Sequence, residues 1–284
     1  MRKHVSTITT VLVFLAGLSL LLYPTVSNYW NSKHQTQAVA EYSDRIEKMD
    51  EQEKKQAFEQ AEKYNETLIS DSGRFTPTEE QDEWYKSLLD IDGTGMMGYI
   101  TIPEIDCKLA LYHTVDASVL QVGVGHMEGS SLPVGGSGTH CVFSGHRGLP
   151  SAKIFTDLDQ MKNGDIFLIH VLGKTLAYKV DQIKTVLPEE SSELDIIEGE
   201  DHVTLVTCTP YGVNTHRLLI RGIRTEYVEP EEEAEETPIQ QIAKVDPVKI
   251  MIIGLVAMVI MIIIVYIVIR RKSRKTEESS RKDE

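Results

Sequence analysis

The amino-acid sequence predicts a mainly β domain, a sandwich or a barrel, and three observations carry that prediction. From Gly98 onward the chain breaks into short runs rich in β-branched and aromatic residues, at 99–102, 109–112, 139–144, 166–171, 175–183, 203–207 and 217–224. Turn formers separate them: Pro103, Gly135-Gly136, Gly164, Gly173, Pro188 and Gly212. Long helical periodicity is confined to the part of the chain before residue 90, so the strand–helix alternation of a parallel α/β sheet is absent.

Taken in order, the chain opens on a short basic head, residues 1–4, followed by an uncharged run at 5–23. About 20 apolar residues suffice to cross a bilayer. No small-x-small cleavage site follows the run, so it reads as a retained transmembrane anchor, with a cleaved signal peptide as the alternative. Tyr23, Tyr29 and Trp30 would then sit at the membrane interface. Residues 31–92 read as a helical stalk and a loop. Val39, Tyr42, Ile46 and Met49, and again Phe58, Ala61, Tyr64 and Leu68, recur at helical spacing with Glu, Lys and Gln between them. This predicts one helix or a helical pair over 33–68 that packs on the domain, with a coiled-coil dimer as the alternative. Residues 70–78, SDSGRFTPT, are a loop in which Phe75 is the one large apolar side chain. Thr78 then caps a short helix at 79–89. The β domain occupies 93–225, with one helical turn expected at 153–158.

After it comes an acidic, Pro-containing linker, 226–249, which reads as disordered. A second uncharged run at 250–269 is expected to be a transmembrane helix. It meets Arg270, Arg271, Lys272, Arg274 and Lys275 in a basic tail, 270–284. The positive-inside rule puts both ends in the cytoplasm and the middle outside a cell membrane crossed twice.

The chain carries a net charge of −14. Its two ends are basic, so the acidic surplus lies between them. Such a middle is unsuited to nucleic acid, which demands clustered Lys and Arg. Histidines, cysteines and carboxylates fall at no recognisable ligand spacing, so neither metal nor cofactor is expected. Three cysteines leave at least one thiol unpaired. Cys107 and Cys141 lie in apolar strand-like stretches and read as small buried hydrophobes; a disulfide between them has no spacing signature.

Cys208 differs. It ends the apolar run of TLVTC and precedes a Thr-Pro-Tyr-Gly turn, and Arg217 opens the next strand-like run. A thiol at a strand end can attack a carbonyl, and a guanidinium can hydrogen-bond the oxyanion that forms. The missing partner is a base. Of nine histidines, His4 and His34 flank the first apolar run. His113, His170 and His202 have no chemical company in sequence, and His126 and His140 border glycine-rich or strand segments. His216, beside Arg217, points to the opposite face. His146 follows Phe143-Ser144-Gly145 and precedes Arg147-Gly148-Leu149-Pro150, where an apolar strand gives way to a loop. It is the candidate base.

TLVTC followed by Arg217 resembles the TLxTC…R signature of the sortases, membrane-bound cysteine transpeptidases of Gram-positive bacteria, and SGHRGLP resembles their histidine motif. The stretches TLVTCTPYGVNTHRLLIRG and GVGHMEGSSLPVGG, the two apolar runs and the long N-terminal helical region resemble the class C, pilin-polymerising branch. The resemblance implies an eight-stranded β-barrel in which Cys208 is the nucleophile, His146 the general acid/base and Arg217 the oxyanion-side stabiliser. The implied substrate is a pilin or surface protein bearing an LPxTG-type sorting signal, cleaved through a thioester. The implied acceptor is a pilin lysine amine or, in a sortase that anchors proteins to the cell wall, a peptidoglycan amine. A binding module with a structural Cys208 and a hydrolytic cysteine protease are readings from other classes. Pilin sortases often carry a lid with an Asp-Pro-aromatic tripeptide. This chain has SDSGRF at about that place, which nominates Asp71 and Phe75, Asp71 to pair with Arg217 and Phe75 to cover Cys208. The bland reading of the segment is a connector.

Overall fold

The computed structural model describes residues 2–227, with side chains from Val13 onward. The helical pair expected over 33–68 is formed by the C-terminal part of helix α1 (Arg2–Lys48), which extends well before residue 33, and by helix α2 (Glu51–Leu68). The break falls at Asp50, whose extended backbone and carboxylate, accepting from Gln52 N, start α2. The two apolar stripes lie against the barrel. Val39, Tyr42, Ile46, Phe58, Ala61, Tyr64 and Leu68 are all buried in its core cluster, so the stripes are used within the chain and the coiled-coil alternative has no face left.

Polar anchors fix this docking. Tyr42 Oη donates to Met97 O at 3.0 Å and accepts from Leu172 N at 3.0 Å. Its burial pushes the phenol up to about 12. Asn65 bonds Leu132 in both directions, accepting from its N–H at 2.7 Å and donating to its carbonyl at 3.0 Å. Removing that amide would leave two buried backbone groups unmatched, at a cost of about 1–3 kcal/mol.

One expectation is corrected here. Among the described residues no helix is long and apolar enough to cross a membrane. This finding overturns the expected localisation, a cell membrane crossed twice with the middle outside and both ends inside. The acidic linker at 226–249, save its first two residues, the run at 250–269 and the tail at 270–284 lie outside the described residues.

Helix α3 (Glu79–Ser87) starts on the expected cap: Thr78 Oγ1 accepts from Gln81 N, while the Gln81 side chain accepts from Thr78 N. This reciprocal capping box satisfies two otherwise orphaned donors. Eight strands follow: β1 (Met96–Ile102), β2 (Cys107–Tyr112), β3 (Val124–His126), β4 (Thr139–Ser144), β5 (Ile166–Val171), β6 (Lys174–Val186), β7 (Asp201–Thr209) and β8 (His216–Thr225). They close a barrel in the order β1-β2-β3-β4-β7-β8-β6-β5, with β1 pairing β5 across the seam. Seven match the expected runs. β3 was not expected: three residues are too few to show alternation, and only pairing to β2 and β4 makes them a strand. A short helix, α4 (Ala117–Leu120), precedes it. The helical turn expected at 153–158 is instead a single 3-10 turn at Leu158–Gln160.

Alternation sorts the strands into two faces. Cys141, Phe143, Val203, Leu205, Leu218 and Ile220 point into the main core. Val142, Val206 and Leu219, from the same three strands, belong to a second apolar cluster with Val186, Leu194 and Met127. They form the outer face of β4, β7 and β8.

Candidate active site

That outer face carries the candidate residues. On β7, Cys208 lies two residues beyond Val206 and so shares its side of the sheet. On β8, Arg217 lies two residues before Leu219. The antiparallel register puts Cys208 directly opposite Arg217, a placement that follows from the short connection between the strands. That connection begins with a cis Thr209–Pro210 bond.

His146 arrives from farther away. β4 and β7 run parallel, from Thr139 opposite Asp201 to Ser144 opposite Val206. Gly145 N continues the ladder, donating to Val206 O at 3.0 Å. The paired register ends at Ser144 opposite Val206, two residues before His146 on one chain and two before Cys208 on the other. Thr207 locks the extension, because its buried hydroxyl donates to Gly145 O at 2.7 Å. Thr207 went unnoticed in the sequence; the only hint was a threonine between a valine and the cysteine. Gly145 admits no side chain, since a Cβ there would lie 2.6 Å from the Phe155 ring. Phe155 N in turn donates to His146 O at 3.0 Å, closing the loop that follows the histidine.

Cys208, His146 and Arg217 are each half-buried, reachable yet partly shielded from water. Arg217 Nη1 donates to Asn214 O at 3.2 Å and His216 O at 3.1 Å. Backbone carbonyls hold the guanidinium in place without neutralising it, so other N–H groups remain available to an anion. A thiol, an imidazole and a guanidinium on one face of adjacent strands can attack an acyl carbon, move its proton and hold the oxyanion.

The other histidines of the barrel have structural partners or settings. His126 is fully buried between Tyr85 Oη at 2.8 Å and Ser131 O at 2.9 Å, and desolvation pushes it down to about 3. His140 lies between Asp195 O at 2.9 Å and the Thr204 hydroxyl at 2.7 Å, and burial brings it to about 4. His113 faces the carbonyls of Gly95 and Leu88, and His170 stacks on Tyr99 at 4.2 Å. The ring nitrogens of His202 lack a hydrogen bond, and its Nε2 lies 3.2 Å from Glu200 Oε2. His216 extends beside Thr215, whose hydroxyl is 2.9 Å from its Nδ1. Cys107 and Cys141 are free thiols, and burial raises both, Cys107 to about 12.

The loop between α2 and α3 departs from expectation. Asp71 does not reach Arg217: its carboxylate accepts from Gly73 N at 2.8 Å in a local turn. Phe75 is 38% exposed. The buried side chain of the loop is Arg74, which donates to Leu194 O at 3.0 Å and to Asp195 at 3.3 Å. Its guanidinium lies 4.6 Å over the Phe75 ring. The Arg74 carbonyl presses so closely on Gly129 that a Cβ there would come within 2.0 Å of it. The loop is therefore pinned to the β6–β7 connection, whose Leu194 covers the outer apolar face that bears Cys208. Arg74 was missed because an arginine in a polar loop reads as solvated.

Comparison with known proteins adds a family. Residues 100–225 match the description "Sortase domain". Among solved structures, sortase C1 from Streptococcus agalactiae is 49% identical, with a TM-score of 0.66, over 68% of this chain and all of that one. Streptococcus pneumoniae sortase C, whose structure is described in terms of catalysis and pilin substrate specificity, is 41% identical, with a TM-score of 0.60, over 69% of this chain and 100% of that one. Sortase A of Bacillus anthracis is 22% identical over 223 residues, covering 78% of this chain and 95% of that protein.

Proposed function

The chain belongs to the sortase family of cysteine transpeptidases, with class C sortases among its structural relatives, and from that premise we propose that it polymerises pilins. Cys208, as thiolate, attacks the Thr carbonyl of an LPxTG-type signal. Arg217 stabilises the oxyanion. The His146 imidazolium gives its proton to the departing glycine amine, leaving an acyl thioester on Cys208. A lysine amine of a second pilin then attacks, and its proton passes back through His146. The thiolate leaves and an isopeptide bond remains.

The single observation that supports these roles best is the double registry: Cys208 opposite Arg217 across β7–β8, and the parallel β4–β7 ladder that ends two residues before both His146 and Cys208. Reactivity would follow from it, because the thiolate is the nucleophilic form of a cysteine and a neighbouring base can take the thiol proton. The apolar strip of Val142, Val206 and Leu219 beside the thiol suits the apolar part of a sorting signal. Half-burial of the three groups limits water, which favours transfer to an amine over hydrolysis. We also infer that the 70–78 loop is a cover. Arg74 ties it to the segment lying over that strip, while Phe75 and Asp71 play smaller parts.

The test is to incubate the protein with a peptide bearing the signal and a lysine-bearing pilin, then look for the isopeptide link by mass spectrometry. Linked pilin is expected. Transfer only to a peptidoglycan amine would point to wall anchoring, and release of free acid with or without amine would point to a protease.

A further inference from the structure

We propose that Arg147, the residue after the candidate base, is a positioning residue for this reaction: it holds the His146 end of β4 and the Cys208 end of β7 at a fixed separation. The inference rests on the reading of the site given above. Arg147's side chain is only 9% exposed, unusually low for an arginine in a loop. Its three nitrogens reach three residues on two segments, the β4–β5 connection and the end of β7. Nε donates to Thr156 O at 3.2 Å. Nη1 donates to Thr209 Oγ1, the residue directly after Cys208, at 3.4 Å. Nη2 donates to the Asp159 carboxylate. The guanidinium also lies 5.7 Å over the Tyr211 ring. That ring packs on the backbone of Gly148 so closely that a Cβ there would approach it to 3.0 Å.

The residues that directly follow His146 and Cys208 are thus joined through one planar cation. β4 and β7 are parallel neighbours, but their ladder ends at Ser144 opposite Val206, short of His146 and Cys208; the chain after Ser144 runs into a loop while β7 continues to Thr209. The fork of Arg147 spans that opening. Only a guanidinium offers donors in three fixed in-plane directions; a lysine ammonium can satisfy one arm at a time. Asp159 neutralises the cation, so the clamp adds little net charge beside the thiol. Arg147 need not touch substrate. It keeps the imidazole and the sulfur aligned, and a misplacement of about 1 Å can cost about a hundredfold in rate.

The experiment uses the purified full chain and an LPxTG-type peptide, measuring kcat and KM for release of the glycine end, together with thermal unfolding. Arg147→Ala is expected to lower kcat about a hundredfold while KM stays within about twofold. Arg147→Lys is expected to recover less than about a tenth of the lost rate. Should Arg147→Ala fail to fold, Asp159→Asn and Thr209→Val each remove one arm and are expected to lower kcat several-fold with KM unchanged. The inference is overturned if kcat falls only as far as the folded fraction does, if lysine restores full turnover, or if both single-arm variants turn over normally. A wild-type protein that leaves the peptide intact overturns the underlying reading and this inference with it. Wild-type turnover matched by the Arg147 variants overturns the positioning role alone.

Discussion

The β4–β7 pair carries histidine and cysteine at both of its ends, and the two ends are built differently. At the N-terminal end, His140 and Cys141 stand on β4 with His202 across from His140 on β7. Cys141 points into the barrel, where burial lifts its thiol well above the ordinary value. His140 is held between a carbonyl and a hydroxyl in its neutral form. At the C-terminal end, His146 and Cys208 lie past the ladder on the outer face, half-buried, with Arg217 alongside. The residue types are the same and the strands are the same. The side of the sheet and the depth of burial differ, and those fit Cys141 for packing and suit Cys208 to the nucleophile's role proposed for it.

The sharpest way to break this comparison is to exchange the roles. Cys208→Ala is expected to abolish peptide cleavage, a fall of at least about a thousandfold in kcat/KM. Cys141→Ala is expected to keep turnover close to wild type and to lower stability by about 1 kcal/mol through the lost packing. Equal loss of turnover in the two variants would erase the distinction between the ends. Next in size, Arg217→Lys is expected to lower kcat/KM by about two orders of magnitude, because an ammonium cannot keep its carbonyl contacts and also present a donor to the oxyanion. Steady-state kinetics with near-normal values would remove arginine's special part.

A smaller effect concerns the inert end. The folded state favours neutral His140, whose value falls from 6.5 to about 4. The unfolded chain therefore binds more protons between those values. The stability His140 contributes is complete above pH 6.5 and is lost as pH falls toward about 4. His126 acts in the same direction over a wider window. Urea midpoints measured across the window should fall with pH, and His140→Gln should flatten the slope; an unchanged slope would mean that His140 is not held neutral. The smallest expected effect is at the cover: Phe75→Ala should speed alkylation of Cys208 by iodoacetamide a few-fold, and Arg74→Ala somewhat more, since Arg74 makes the buried contacts. Unchanged rates in both would return the loop to a simple connector.

Local rules made much of this molecule legible. The Thr78 cap with Gln81, the two apolar stripes of α1 and α2, and seven of the strands follow from patterns within a few residues of one another. The link between Cys208 and Arg217 was legible for the same reason: a single hairpin joins them. β3 was not, because three residues carry no period. The run at 5–23 looked sufficient for a membrane on length and apolarity alone, and the described helix does not support that reading.

His146 marks the boundary between the two sources of information. From sequence it was a histidine at a strand end, paired with Cys208 only by the chemistry the thiol called for and by resemblance. Sequence determined the elements, the residue types and the strand ends where chemistry is possible, because propensity, capping and alternation act over short separations. The closed barrel alone decided that β4 pairs in parallel with a strand 62 residues away. It also decided that Thr207 extends the pairing to Gly145, that Arg147 bridges the two ends beyond it and that Arg74 rather than Asp71 pins the loop. Those outcomes depend on hydrogen bonds and burial between segments distant in sequence, and such contacts form only when the whole sheet closes.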